Sequence, residues 1–144
     1  MINIEKALEI DIETICTLDS IVPGNHSRRN LLINAIKANQ CLVAKIRNTI
    51  TGFAILEQSF YCQGFLSLLI VHPDYRRRGI ATALIRHIES TCPTEKLFTS
   101  TNKSNVTAQR MFEALGFVRS GYIENLDEGD PEIIYFKRVM SDGV

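Results

Sequence analysis

Apolar and polar positions recur along this chain at spacings that assign most of its elements. Ile2 and Ile4 alternate with polar neighbours and predict a short first strand. Asp11 stands as a cap ahead of Ile12, Ile15 and Cys16, which fall at helical spacing. Pro23-Gly24-Asn25 interrupts the chain, and Ser27 then offers a cap for a helix to about Gln40 with Leu32, Ala35 and Ile36 inward. Cys41 to Arg47 reads as a strand, Asn48 to Thr51 as a turn, and Gly52 to Tyr61 as the partner strand of a hairpin. Gly64 to Val71 is a further strand whose unbroken apolar stretch predicts burial on both faces, hence a central place in a sheet.

Pro73 ends that strand, and a polar loop leads through Gly79 into a helix with Ala81, Leu84, Ile85 and Ile88 on one face. Cys92-Pro93 closes the helix, and Lys96 to Thr101 is a short strand. Asn105 opens another helix, inward at Ala108, Met111, Phe112 and Leu115, which Gly116 stops. Two strands remain, Phe117 to Glu124 and Glu132 to Met140, joined by the turn-forming acidic stretch Asn125 to Pro131. The order is strand-rich at first, then β-α-β-α-β-β, which predicts a mixed α/β sheet with helices on its faces. With 144 residues and no linker or repeat, one domain over residues 1–144 is expected.

Composition adds exclusions. Sixteen basic residues balance sixteen acidic ones, so no global field recruits nucleic acid or anionic lipid. Apolar runs fall far short of the roughly 20 residues that span a bilayer. The acids Glu5, Glu9, Asp11, Glu13 and Asp19 do not suit a signal peptide, so a cytoplasmic protein is expected, with no membrane partner. Cysteines 16, 41, 62 and 92 are scattered and read as reduced, mostly buried thiols. Histidines 26, 72 and 87 share no metal-like spacing, and no metal is expected.

The stretch that suggests chemistry is Val71-His72-Pro73-Asp74-Tyr75-Arg76-Arg77-Arg78-Gly79-Ile80-Ala81-Thr82. A strand ends, a basic loop turns, and a glycine lets the backbone approach whatever the loop surrounds. The helix that starts there presents unpaired amides and its positive dipole end, which suits a pyrophosphate. A triphosphate P-loop would need a second glycine and a lysine, and a dinucleotide fingerprint would need G-x-G-x-x-G; neither is present. Taken alone, the three arginines read first as a solvated basic turn. Nucleic-acid binding through them would call for an aromatic or basic surround that the sequence lacks.

Arg76-x-x-Gly79-x-Ala81 resembles the [QR]-x-x-G-x-[GA] acetyl-coenzyme A loop of the GNAT N-acetyltransferases. Further on, Asn105-Val106-Thr107-Ala108-Gln109-Arg110-Met111-Phe112-Glu113-Ala114-Leu115-Gly116-Phe117 resembles that family's second signature. The likeness is clearest from about residue 40 to 140. It implies a GNAT-like fold, with a central mixed sheet flanked by helices and a strand pair that splays apart to admit the cofactor. That pair would be Leu66 to Val71 and Leu97 to Thr101. The resemblance further implies that backbone groups of Leu69, Ile70 and Val71 pair with the pantetheine arm. Amides of Arg77, Arg78, Gly79, Ile80, Ala81 and Thr82, after Arg76, would hold the pyrophosphate, with the Thr82 hydroxyl as an extra donor. Asn105 would lie beside the pantetheine, or cap its helix, or both. The implied reaction is direct attack of an amine on the acetyl carbonyl, with a Val71 amide as oxyanion donor.

Acid and base are less legible. Many relatives carry a tyrosine at Phe112 that protonates the departing thiolate; phenylalanine cannot, and reads as a core residue. Tyr122 is a substitute candidate. Relatives with a glutamate at the positions of Phe65 or Ser100 are not matched here. Glu57, alternating with Phe53 and Ile55, is the nearest carboxylate that could serve as base, unless it meets solvent. The acidic run Glu124 to Glu132 either draws a cationic acceptor or is a solvated turn. The expected function is acetyl-coenzyme A-dependent N-acetylation of a primary amine, on a small molecule, peptide or protein, with a homodimer compatible. The alternative is a catalytically weak acyl-coenzyme A-binding sensor or regulatory module.

Overall fold

A computed structural model describes residues 1–21 and 28–139. Among them seven strands and four α-helices follow in order. They are β1 (Asn3–Lys6), α1 (Ile12–Ile21), α2 (Arg29–Lys37), β2 (Cys41–Ile46), β3 (Thr49–Phe60), β4 (Gln63–Val71), α3 (Ile80–Thr91), β5 (Lys96–Asn102), α4 (Val106–Ala114), β6 (Val118–Ile123) and β7 (Glu132–Arg138). Short 3-10 turns stand at Glu9–Asp11 and Pro73–Tyr75. The expected break at Pro23-Gly24-Asn25, the Ser27 cap, His26 and the strand end at Met140 lie outside the described residues.

The strands are hydrogen-bonded in the order β1-β2-β3-β4-β5-β7-β6, with β4 central as its apolar run required. β4 pairs with β5 in parallel through Gly64↔Leu97, Phe65↔Phe98 and Leu66↔Thr99, while β2 on β1 and β3, and β7 on β5 and β6, are antiparallel. The sheet is therefore mixed, as the element order predicts. Among the described residues no helix is long and apolar enough to cross a membrane.

The chain clusters into two compact units, Met1–Leu56 with Leu68–Ile88, and Glu57–Ser67 with Glu89–Val144. In the first, Ile15 and Leu18 of α1 and Leu32 and Ile36 of α2 bury against Val43, Phe53, Ile55 and Ile70. Each such side chain contributes about 1.5–3 kcal/mol through its burial. Asp19, buried at the end of α1, takes two hydrogen bonds from Arg28 at 3.2 and 2.6 Å, which ties α1 to the start of α2. In the second unit, Phe112 packs between Phe117 and Tyr135, with ring centroids 5.7 and 5.6 Å away. Lys137 Nζ donates to Glu89 at 2.9 Å and to the Leu115 carbonyl at 2.8 Å, satisfying an orphan acceptor at the end of α4.

Several local expectations shift. The β2–β3 turn is the pair Arg47-Asn48, at φ 51° and 66°, so β3 starts at Thr49. Two successive left-handed residues match the twist of the flanking strands, which a longer turn over Asn48 to Thr51 would not. Asp11 does not cap α1; its carboxylate accepts from the Leu8 amide at 2.8 Å, closing the preceding 3-10 turn. On α3 the inward position is Ile80, and Ala81 is half-buried, because the larger side chain gains more from burial. β4 is packed less evenly than a strand buried on both faces, with three consecutive half-buried residues from Ser67 to Leu69.

All four cysteines are free, with Cys41 and Cys92 buried, Cys16 half-buried and Cys62 exposed at a hairpin tip. Burial pushes the Cys41 thiol up to about 12, so its thiolate fraction at pH 8 is about 10⁻⁴. Alkylation of the native protein at pH 8, followed by peptide mass analysis, should therefore modify Cys62 and spare Cys41 and Cys92. Modification of Cys41 at the rate of Cys62 would contradict this packing.

Candidate active site

The turn after β4 is built from its own side chains. The His72 amide donates to the Thr51 carbonyl at 2.8 Å, and His72 Nδ1 accepts from the Asp74 amide at 3.0 Å. The imidazole meets the Tyr75 ring edge-on at 5.7 Å, and the Arg78 guanidinium lies over that ring at 5.2 Å. Arg78 is thereby held against Tyr75, although all three arginines are exposed. Arg77 and Gly79 both take left-handed conformations, at φ 64° and 81°. A non-glycine residue is uncommon in that region, so the turn is conformationally constrained at Arg77.

Gly79 borders open space: a Cβ placed on it would meet no heavy atom within 4 Å. The Ala83 amide donates to the Gly79 carbonyl at 2.9 Å, the first bond of α3. The amides of Ile80, Ala81 and Thr82 precede it and have no acceptor within the helix. Alternate left-handed residues, three uncommitted amides, a helix dipole and the arginines together suit a diphosphate. The cradle therefore fits a coenzyme A pyrophosphate. Just upstream, Leu69 and Val71 are half-buried and Ile70 is buried.

In the second unit Asn105 is the N-cap of α4, its Oδ1 accepting from the Ala108 amide at 3.1 Å. The turn ahead of it is held by the stretch expected to be either an acceptor lure or a solvated turn. Asp130 accepts from the Ser104 amide at 2.9 Å and from its hydroxyl at 2.6 Å, and Asn102 Nδ2 donates to Asp127 at 2.8 Å. Ser100 Oγ donates to Glu132 at 2.7 Å. Three of the five carboxylates are thus engaged within the unit, while Glu124 and Glu128 are exposed.

Gln109 is buried where an apolar α4 stripe is expected, and Ala108, Met111 and Leu115 are only half-buried. Its amide nitrogen donates to the carbonyls of Asn102 and Lys103 at 3.1 and 2.6 Å, and its oxygen accepts from Arg119 at 3.0 Å. These bonds brace the turn ahead of α4, where the Asn102 carbonyl also accepts from the Asn105 amide at 2.9 Å, which explains a polar side chain on the inward face. Phe112 is a core residue, 4% exposed, as expected.

Glu57 is half-buried in β3 and accepts from Ser59 Oγ at 2.9 Å. Tyr122, on β6, is 63% exposed. Sequence reasoning passed over Tyr135, which is fully buried and donates to Glu113 at 2.9 Å. Burial, then the bond to Glu113, holds its pKa above the usual tyrosine range, with Arg119 opposing. It also passed over Ser67, whose buried hydroxyl has no hydrogen-bond partner among the described residues, and over the pairing of Ser100 with Glu132. Nothing local in the sequence signals either one.

A family model described as Acetyltransferase (GNAT) family matches residues 9–117. The chain belongs to this family. A crystal structure of a GNAT acetyltransferase from Bacillus cereus is 46% identical, covers 97% of this chain and 99% of its own, and superposes with a TM-score of 0.92. The Cysteine-rich protein 2-binding protein of Mus musculus is 35% identical over 63 residues, 44% of this chain and 8% of that protein. N-alpha-acetyltransferase 30 of Xenopus laevis is 27% identical over 88 residues, 55% of this chain and 32% of that protein. This GNAT chain thus matches only a minor part of those two curated relatives. The matched region contains the β4 turn and the start of α3.

Proposed function

We propose that this GNAT chain is an N-acetyltransferase, moving the acetyl group of acetyl-coenzyme A onto a primary amine in a ternary complex. The observation that carries it is the open left-handed turn at Arg77 and Gly79, set at the start of α3, where the amides of Ile80, Ala81 and Thr82 have no acceptor within the helix. Those amides would hold the pyrophosphate, with Arg76, Arg77 and the Thr82 hydroxyl at its edge, and Arg78 fixed on Tyr75. Backbone groups of Leu69, Ile70 and Val71 would hold the pantetheine arm, and Asn105 is a further cofactor-binding residue in this reading. The cosubstrate supplies an activated thioester, so the acceptor nitrogen can attack directly and the chain needs no nucleophile of its own. Among the groups proposed to handle protons, Tyr122 offers an exposed hydroxyl and Glu57 a carboxylate shared with Ser59.

The acceptor class is read from chemistry and kinship. Exposed Glu124 and Glu128 favour a cationic amine, and the frog relative's name favours a peptide N-terminus. The four free thiols suit a reducing, cytoplasmic setting. A second reading, a coenzyme A-binding sensor, is favoured by Phe112, which fills the core without a hydroxyl.

Thermal shift with acetyl-coenzyme A, coenzyme A, ATP and NAD, followed by thiol release over an amine and peptide panel, tests both readings. Ligand at about 100 times its dissociation constant adds roughly 2.7 kcal/mol, or about 5–10 °C for a domain of this size. That shift is expected with the two coenzyme A species only, together with turnover of at least one amine. A shift without turnover across the panel would favour the sensor, and no shift with coenzyme A would remove both readings.

A further inference from the structure

The chain has no carboxylate of its own at Ser100, where some relatives carry a glutamate, yet the sheet brings one there. β5 and β7 pair antiparallel with Ser100 opposite Ile134 and Asn102 opposite Glu132. Ser100 and Glu132 therefore share a face of the sheet, and Ser100 Oγ donates to Glu132 Oε2 at 2.7 Å. We propose that Glu132, working through the Ser100 hydroxyl, takes the proton from the acceptor amine. The assignment rests on the acetyl-transfer reading above and deepens it.

Three observations carry it. First, the position lies at the end of the β4–β5 ladder. Leu66 and Thr99 are the last paired residues, locked by Thr99 Oγ1 donating to the Leu66 carbonyl at 2.8 Å, and Ser100 follows directly. In a GNAT chain this is where the parallel pair is expected to part around the acyl group. Second, Ser67 follows Leu66 on the other strand, and its hydroxyl is buried with no partner among the described residues. A buried hydroxyl left unpaired is unfavourable, so this one is available to a ligand's polar group. Third, the same face carries a half-buried aromatic row. Phe60 stacks on Phe65 at 4.7 Å, and Phe98 lies 5.2 Å from Phe60 and 5.3 Å from Phe136. This apolar row runs up to Ser100 and Glu132.

The arrangement sets the direction of proton flow. Because Ser100 donates to Glu132, its oxygen lone pairs are free to accept an N–H. An ammonium R–NH3⁺ bonded there passes a proton to Ser100 Oγ while the serine's own proton moves to Glu132. The products are R–NH2, an unchanged serine and a neutral carboxylic acid. The free lone pair then forms the N–C bond as the C–S bond breaks with its electron pair on sulfur. The second proton lost by nitrogen balances the one the thiolate takes up. Glu57 is a weaker candidate because it belongs to β3, two strands from β5, and already accepts from Ser59. Charged and titratable groups on the segments flanking Glu132 are Lys103 after β5, Tyr122 and Glu124 at the end of β6, and Asp127 and Asp130 in the loop. Both aspartates are already bonded to Asn102 or Ser104. Glu132 is the carboxylate paired with a hydroxyl at the ladder's end.

The test is the pH–rate profile of Glu132→Gln and Ser100→Ala with an accepted amine, alongside coenzyme A thermal shifts. Glutamine keeps an oxygen for the serine hydroxyl, so the variant should fold. Its kcat/KM should fall about 100-fold or more at pH 7. The deficit should shrink as pH rises toward the amine's own pKa, because the free amine no longer needs deprotonating. Ser100→Ala should show the same pH-dependent loss, and the coenzyme A shift should stay unchanged in both. Wild-type kcat/KM in Glu132→Gln at pH 7, or an equal loss at every pH, would overturn the assignment while leaving the enzyme reading intact. A wild-type protein that turns over no amine would overturn both.

Discussion

Replacing Gly79 with valine is expected to abolish coenzyme A binding while leaving the fold in place. The argument separates two effects of the side chain. Within the protein, a Cβ at Gly79 meets nothing within 4 Å, so the packed structure has no clash to relieve. The backbone is a different matter, since φ is 81° there and a β-branched residue at positive φ is a steric outlier. Holding it in the left-handed region costs about 1–2 kcal/mol, which a domain of this size survives. The open space is where the diphosphate would lie, so the isopropyl group fills it and turns aside the amides of Ile80 and Ala81. We expect the coenzyme A thermal shift of about 5–10 °C to vanish, corresponding to at least about a 100-fold weaker dissociation constant. Calorimetry on the folded variant checks it. Affinity within about threefold of wild type would mean that the pyrophosphate sits elsewhere.

Gly52→Val is expected to act on the same strand and helix through stability. Gly52 lies in β3, and a Cβ there would stand 2.8 Å from the Ile70 carbonyl oxygen, 3.1 Å from Ile80 Cγ2 and 3.5 Å from Val71 Cα. The nearest of these is backbone, which cannot rotate away as a side-chain tip would. β4 and the first residue of α3 must therefore move, at a cost of about 3 kcal/mol by overpacking alone. For this chain length that lowers Tm by about 6–12 °C. Ile70, Val71 and Ile80 also border the cofactor cradle, so coenzyme A affinity should fall together with stability. Urea titration with and without coenzyme A resolves the two. Unchanged Tm would show that β3 and β4 do not approach as closely as this structure has them.

Both substitutions affect what the sequence marked most plainly, the strand, turn and helix around Gly79. The reason is local. Pro73 cannot extend a ladder, Gly79 permits a left-handed turn, and Leu84, Ile85 and Ile88 repeat at helical spacing, all within about 20 residues. The same holds for Asn105 ahead of α4 and for Gly116 at φ 96° behind it. Phe112 was legible for the same reason, as one position on an inward stripe.

The sequence by itself therefore determined the element order, the mixed sheet and the family, because each rests on side-chain chemistry and periodicity within a short window. It also shows phenylalanine at 112 and no carboxylate at Phe65 or Ser100. Only the tertiary structure decided what Gln109 and the acidic stretch bond to. Gln109 looks like a surface residue of α4 until its amide is seen donating to the carbonyls of Asn102 and Lys103. Glu132 looks like one more acid in a turn until β7 pairs with β5 and sets it against Ser100, 32 residues away. Periodicity assigns a side chain to a face but does not name its partner across the sheet. That depends on strand register, and a slip of one residue would turn Glu132 to the opposite face.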